Sequence, residues 1–135
     1  MEDLFFRAKT NIKTDLIEPY QPYGIRWMLS RETQQICMFE EDMPFGGIVA
    51  DEVGLGKTIL SIGVMLGNLK RRTLIILPKS LICQWEAQIK TFSELQVHII
   101  RKSSDDIQMF EEYGHVYLVS QSLLNLRNSV VGSSV

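Results

Sequence analysis

The residues of this chain with the clearest chemical purpose are Asp51-Glu-Val-Gly54-Leu-Gly56-Lys57-Thr58. Gly54 and Gly56 permit a backbone turn tight enough to aim several N–H groups at one anion. A helix expected directly after them adds its positive N-terminal end. Phosphate suits this arrangement. Lys57 would reach the β- and γ-phosphates of a nucleotide, and the Thr58 hydroxyl would ligate Mg²⁺. The general phosphate-loop pattern has glycine where this chain has Asp51, so the match is imperfect on spacing alone. The strand expected before the turn and the helix after it supply the context such a loop needs.

Ile48-Val-Ala-Asp51-Glu52 also imitates an apolar strand ending in metal-holding acids, but these acids run straight into the glycine–lysine turn. The other strand ends continue as Pro78-Lys-Ser80, Arg101-Lys-Ser103 and Ser120-Gln-Ser122, none with a carboxylate. Phosphoryl transfer needs a held metal and a positioned water. The sequence therefore reads as a phosphate cradle without its catalytic acid.

Positioning such a cradle takes alternating helices and strands. Pro22 can occupy a first helical turn, and the pattern continues to Thr33, with Trp27, Met28 and Ile36 as apolar anchors. Residues 39–45 are acidic and loop-like. Gly46–Ala50 reads as a short buried strand, and Thr58–Leu69 as a helix with Ile59, Ile62, Leu66 and Leu69 on one face. Gly63 and Gly67, four apart, suggest a close helix–sheet approach. Thr73–Leu77 fits a strand covered on both faces. Ser80 can cap a helix carrying Ile82, Trp85, Ile89 and Phe92. A strand at Val97–Ile100, a short helix at Asp105–Tyr113 ended by Gly114, a strand at Val116–Val119 and a helix from Ser120 to Asn128 complete the pattern. Repeated βα units argue for a parallel sheet with helices on both faces.

Composition narrows the class. The 135 residues include 14 basic and 16 acidic side chains, a net charge of −2, with 45% apolar residues. These values exclude a disordered tail, a collagen-like fibre and a disulfide-dense miniprotein, and the length suits one domain. Near-neutral charge argues against a polycationic nucleic-acid binder, although a local basic patch is compatible with it. Cys37 and Cys83 read as buried free thiols of a reducing compartment, and with His98 and His115 they do not assemble a zinc site. Met1–Arg7 is too short in apolar residues for a signal segment, and no run approaches the ~18 needed to span a bilayer. The expectation is an intracellular, soluble protein, nuclear if eukaryotic and cytoplasmic if viral or bacterial.

Four blocks carry a resemblance. Asp51–Thr58, preceded by Gly46-Gly-Ile-Val-Ala50, resembles motif I of the SWI/SNF-type ATPases of helicase superfamily two, where an acidic first position is normal. Leu16-Ile-Glu-Pro-Tyr20-Gln21-Pro-Tyr-Gly-Ile-Arg-Trp27-Met28-Leu29 resembles the family's glutamine motif. Leu74-Ile-Ile-Leu-Pro78-Lys-Ser80-Leu-Ile-Cys-Gln-Trp85-Glu86 resembles motif Ia, and Val116-Tyr-Leu-Val-Ser120-Gln-Ser-Leu123 is similar to the next strand-end motif. The runs Trp27-Met-Leu-Ser-Arg31-Glu32 and Gln84-Trp-Glu86 lean toward the branch associated with replication-stress repair.

The resemblance implies an α/β, RecA-like P-loop NTPase fold: three α/β/α layers, a mostly parallel sheet and an incomplete lobe. Residues 1–14 would form an N-terminal extension, 15–128 the N-terminal part of a helicase ATP-binding domain, and 129–135 an irregular tail. ATP with Mg²⁺ is the implied cofactor, held by Asp51, Glu52, Val53, Gly54, Leu55, Gly56, Lys57 and Thr58. Lys57 and Thr58 would be the catalytic pair, Thr58 meeting the metal through the nucleotide. Gln21 would hydrogen-bond the adenine edge, favouring ATP over GTP. Lys79, Ser80, Ser120 and Gln121 fall where the family meets the sugar-phosphate backbone of double-stranded DNA. Trp85 reads as helix packing, Arg71-Arg72 as a solvated turn, and His98 and His115 as strand or turn residues without an evident partner.

The family's DEAH-type motif II would follow the last strand. The chain stops before it, so the expectation is the N-terminal part of a DNA translocase's first lobe. Its partners would be the missing motor lobe, DNA, and chromatin or repair proteins. A non-catalytic module that binds ATP or a partner is the alternative. A restriction-type translocase subunit is a third reading, against which the glutamine motif with Trp27 and the Asp51-Glu52 start weigh. Uncovered apolar surface would make such a fragment prone to aggregate.

Overall fold

A computed structural model of the chain describes residues 2–33, 45–50, 56–102 and 110–124. They belong to two compact units, residues 1–69 and 70–135.

The first unit is helical. Helix α1 (Glu2–Asn11) has acids in its first turn and Lys9 in its last, both favourable to the helix dipole. Helix α2 spans Tyr20–Thr33, with Pro22 in the first turn, where no N–H is required. Helix α3 spans Lys57–Gly67. Their shared core is Phe5, Ala8, Ile25, Leu29, Leu60 and Val64. On α2 the buried stripe is Gln21, Ile25, Leu29 at a spacing of four. Trp27 and Met28, the expected anchors, are only half-buried, and Ile36 lies outside the described residues. Arg26 fastens α1 to α2: its Nε donates to Glu2 Oε1 at 3.2 Å while its guanidinium lies 3.9 Å from the Phe5 ring centroid.

The two α3 glycines answer to helices, not to a sheet. A Cβ on Gly63 would stand 2.5 Å from Ile25 Cδ1, and one on Gly67 would stand 2.9 Å from the Leu4 carbonyl oxygen and 3.1 Å from Leu29. The close approach expected from their spacing is real, but the neighbours are α2 and α1.

Residues 46–50 are not the expected strand, and Ile48 is 86% exposed. A strand needs a ladder partner. The described strands pair with one another, and this segment instead bonds to α2. Gly46 N–H donates to the Arg31 carbonyl at 3.2 Å, and Arg31 Nε donates to the Gly46 carbonyl at 2.8 Å.

In the second unit, β1 (Arg72–Leu77), β2 (Gln96–Ile100) and β3 (His115–Ser120) form a parallel sheet in the order β1-β3-β2. A 3₁₀ turn, Lys79–Leu81, leads from β1 into α4 (Ile82–Phe92). Every β3 residue before Ser120 is buried, as a central strand requires. The apolar run of β1 is not covered on both faces as expected: its burial alternates, and Leu74 is 57% exposed. The reason is its place at an edge of the described sheet.

Ser80 does not cap α4. It lies within the 3₁₀ turn, and no side chain caps either element. Ile82 and Ile89 are buried along the expected stripe, whereas Cys83, one residue round the helix, is exposed and not the buried thiol expected. Cys37 lies outside the described residues. Of the expected helix at 105–113, residues 110–113 are not helical, with bends at 111–113, and 105–109 lie outside the described residues. The final helix is described only over its first turn, residues 121–124.

His98 and His115 do have partners, contrary to expectation. His98 Nε2 and His115 Nδ1 are 2.9 Å apart, one ring N–H donating to the other nitrogen. Phe110 stacks on His115 with centroids 4.3 Å apart, and Tyr117 stacks on His98 at 5.0 Å. Two ring nitrogens so close can share one proton and not two. Burial pushes the His98 pKa below its ordinary 6.5, and His115 adds to the depression. As pH falls through 6.5 the unfolded chain takes up a proton that folded His98 resists. Stability from this pair is therefore present above 6.5 and lost below it. Urea unfolding followed through Trp85 fluorescence should show a lower midpoint at pH ~5.5 than at pH ~7.5, and His98→Gln should flatten that difference. An unchanged pH difference in the variant would remove His98 as its source.

Candidate functional site

Helix α3 is entered through Gly56, the last glycine of the expected phosphate loop. This residue adopts φ 79°, a left-handed conformation that glycine takes without strain, and its carbonyl accepts the Leu60 N–H at 3.1 Å. Lys57, exposed, and Thr58, half-buried, occupy the first turn, where backbone N–H groups have no partner within the helix. Asp51, Glu52, Val53, Gly54 and Leu55 lie outside the described residues.

Gln21 meets this turn from α2. It is only 3% exposed, so its amide needs partners. Its Oε1 accepts the Ile17 N–H at 2.7 Å, while its own N–H donates to the Ile17 carbonyl at 3.0 Å. A Cβ on Gly56 would run into Gln21 Nε2, so the absence of a side chain there is what lets the glutamine close on the loop. The amide oxygen retains a second lone pair for another donor. The structure thus brings Gln21, Gly56, Lys57 and Thr58 to one place, although 35 positions separate Gln21 from Gly56.

A cavity of about 290 Å³ lies on a different face of α2, lined by Tyr20, Tyr23, Gly24, Trp27 and residues 48–50. None of the expected site residues lines it.

In the second unit the parallel register places Leu77 opposite Ser120. Lys79 and Ser80 therefore leave the same end of the sheet as Ser120 and Gln121, and Lys79, Ser80 and Gln121 are exposed. The Ser120 hydroxyl accepts the Leu123 N–H at 3.1 Å, which fixes the turn after β3. Arg71 and Arg72 lie at the opposite end, where Arg71 pairs with Glu111 at 3.4 Å. Sequence reading missed the contribution of Ile17 to the Gln21 contact, since a backbone hydrogen bond leaves no signal in residue type. Gly56 beside a buried glutamine could be found only once the two elements were packed.

The first unit sets buried Gln21 beside the glycine turn that opens α3, and the second carries a parallel sheet with a helix between its strands. The SNF2-related domain family matches residues 20–133, and the chain belongs to that family. It is 34% identical over 117 residues to YwqA of Bacillus subtilis, covering 79% of this chain and 12% of that protein. It is 33% identical over 110 residues to human chromodomain-helicase-DNA-binding protein 6, covering 78% of this chain and 4% of that protein. Among solved structures it resembles the Sulfolobus solfataricus SWI2/SNF2 ATPase core in complex with dsDNA, at TM-score 0.66 and 29% identity, over 84% of this chain and 23% of that one. The fold is accordingly the α/β, RecA-like one, and the chain spans a small part of each relative's length. No helix among the described residues is long and apolar enough to cross a membrane.

Proposed function

We propose that this chain is the ATP-binding portion of an ATP-dependent DNA translocase or remodelling ATPase. The observation that carries this reading is the closure of buried Gln21 onto Gly56 at the start of α3. It sets an amide able to read a base edge beside the turn that offers N–H groups to phosphates. The residues fit Mg²⁺-ATP: Lys57 supplies charge toward the β- and γ-phosphates, Thr58 a hydroxyl for the metal, and Gly56 the room for close backbone approach. Bound Mg²⁺-ATP supplies the phosphoryl group and the metal charge that the reaction uses.

Lys79, Ser80, Ser120 and Gln121 offer hydroxyl, amide and ammonium groups suited to a phosphate backbone, without base reading. The name of the solved relative's complex supports double-stranded DNA as that partner. Chromatin or DNA-repair proteins are the partners of the longer enzyme in this reading.

Titration of the chain with fluorescent ATP and Mg²⁺ tests the proposal. Saturable binding displaced by ATP at lower concentration than by GTP is expected. Absence of saturable binding would overturn the reading, and equal displacement by GTP would remove Gln21 as the base-reading residue.

A further inference from the structure

The side-chain amide of Gln21 is held in one orientation. Its Oε1 accepts the Ile17 N–H at 2.7 Å. A backbone N–H can only donate, so the oxygen and not the nitrogen of the amide must face Ile17. Ile17 is held in return. The Gln21 N–H donates to its carbonyl at 3.0 Å, and the neighbouring Leu16 packs against the helical core. The Nε2 end lies toward Gly56, where a Cβ would collide with it. Reversing the amide would leave the Ile17 N–H without an acceptor, against a residue only 3% exposed. The Ile17 side chain takes little part, being 57% exposed. Ile17 also lies before residues 20–133, the stretch that matches the family.

Resting on the reading of Gln21 as the group that meets the base, we infer that the backbone N–H of Ile17 determines base specificity. By fixing the amide, it makes Gln21 a selector for purines with a 6-amino group. Ile17 takes one lone pair of Oε1, and one remains. Adenine presents its N6 amino group, a donor that this lone pair accepts. Guanine presents O6, an acceptor that it repels. An amide free to rotate discriminates poorly, since it can turn its NH₂ toward O6 as readily as its oxygen toward N6. With the Ile17 N–H in place that turn strands a donor, so a 6-oxo base meets oxygen with oxygen. Ile17 is thus a positioning residue that acts through Gln21.

Competition of ATP and ITP against a fluorescent ATP analogue tests this on the full chain. ITP carries the 6-oxo group of guanine without its 2-amino group, so the comparison isolates that position. Ile17→Pro deletes the N–H, and Ile17→Ala keeps it. The preference for ATP over ITP should fall about 2- to 10-fold in the proline variant, the net worth of one hydrogen bond. It should keep the parent value in the alanine variant. ITP affinity itself should not weaken. Equal weakening of both nucleotides in Ile17→Pro, or an unchanged preference, overturns the inference and leaves the Gln21 reading standing. Native-state hydrogen exchange gives a readout that does not depend on how the fold takes proline. The parent Ile17 amide should exchange slowly, and Gln21→Ala should release it while α2 stays protected. Fast exchange at Ile17 in the parent overturns the inference by itself. A parent without preference for ATP, or one whose preference survives Gln21→Ala, removes the Gln21 reading and the inference together.

Discussion

Lys57→Ala is expected to weaken Mg²⁺-ATP binding about 10- to 100-fold, because a hydrogen bond to a charged group is worth about 1.5–3 kcal/mol. The fold should survive the change. Lys57 is exposed, it opens α3, and alanine is the best helix former for that position. The carbonyl of residue 57, which accepts from the Ser61 hydroxyl at 3.1 Å, is retained. The loss should shrink in high salt, as an exposed charge–phosphate contact does. Titration of parent and variant with fluorescent ATP checks this. Equal affinities would show that the ammonium of Lys57 does not meet the nucleotide.

The second large effect lies in the helical core. Leu29→Ala should destabilise the chain by about 2–5 kcal/mol, the range for truncating a buried leucine. The upper part of that range is expected for a structural reason. Leu29 is fully buried, and its methyl groups approach the space above Gly67, where no side chain exists to fill the void. Gly67 cannot move closer either, since a Cβ-sized space there already abuts the Leu4 carbonyl. The cavity would stay open. Urea unfolding followed by Trp27 fluorescence should show a lower midpoint with an unchanged slope. A change below about 1 kcal/mol would mean that the three helices relax into the space, contrary to this packing.

Helices α3 and α4 were legible from apolar periodicity, α2 from the helix-starting Pro22 although its buried stripe was not the one expected, and the three strands from short apolar runs. The parallel sheet followed from the repeated βα order. Failures fell where a partner decides the outcome. Gly46–Ala50 has the composition of a buried strand, yet a ladder partner makes a strand, and α2 takes its backbone groups instead. Ser80 has the residue type of a cap, yet the 3₁₀ turn it lies in is closed by the Leu81 N–H donating to the Pro78 carbonyl at 2.9 Å. His98 and His115 sit 17 positions apart, and only the pairing of β2 with β3 brings their rings into contact.

The candidate site divides in the same way. For Asp51–Thr58 the expected phosphate chemistry was drawn from glycine, lysine and threonine in that order before a helix, and the structure describes only Gly56, Lys57 and Thr58 of it. Gln21 could be named from its surrounding motif, but residue type alone also allows a glutamine before a proline to stand exposed on a surface. Packing of α2 against α3 decides that this one is buried and closes on Gly56. The strand-end residues follow the same rule. Their types were visible in the sequence, which does not say what stands beside them. Parallel register alone places Lys79 and Ser80 at the same end of the sheet as Ser120 and Gln121, since hydrogen bonding between strands fixes where each strand ends. Sequence determined which groups this protein possesses, and backbone pairing decided which of them act together.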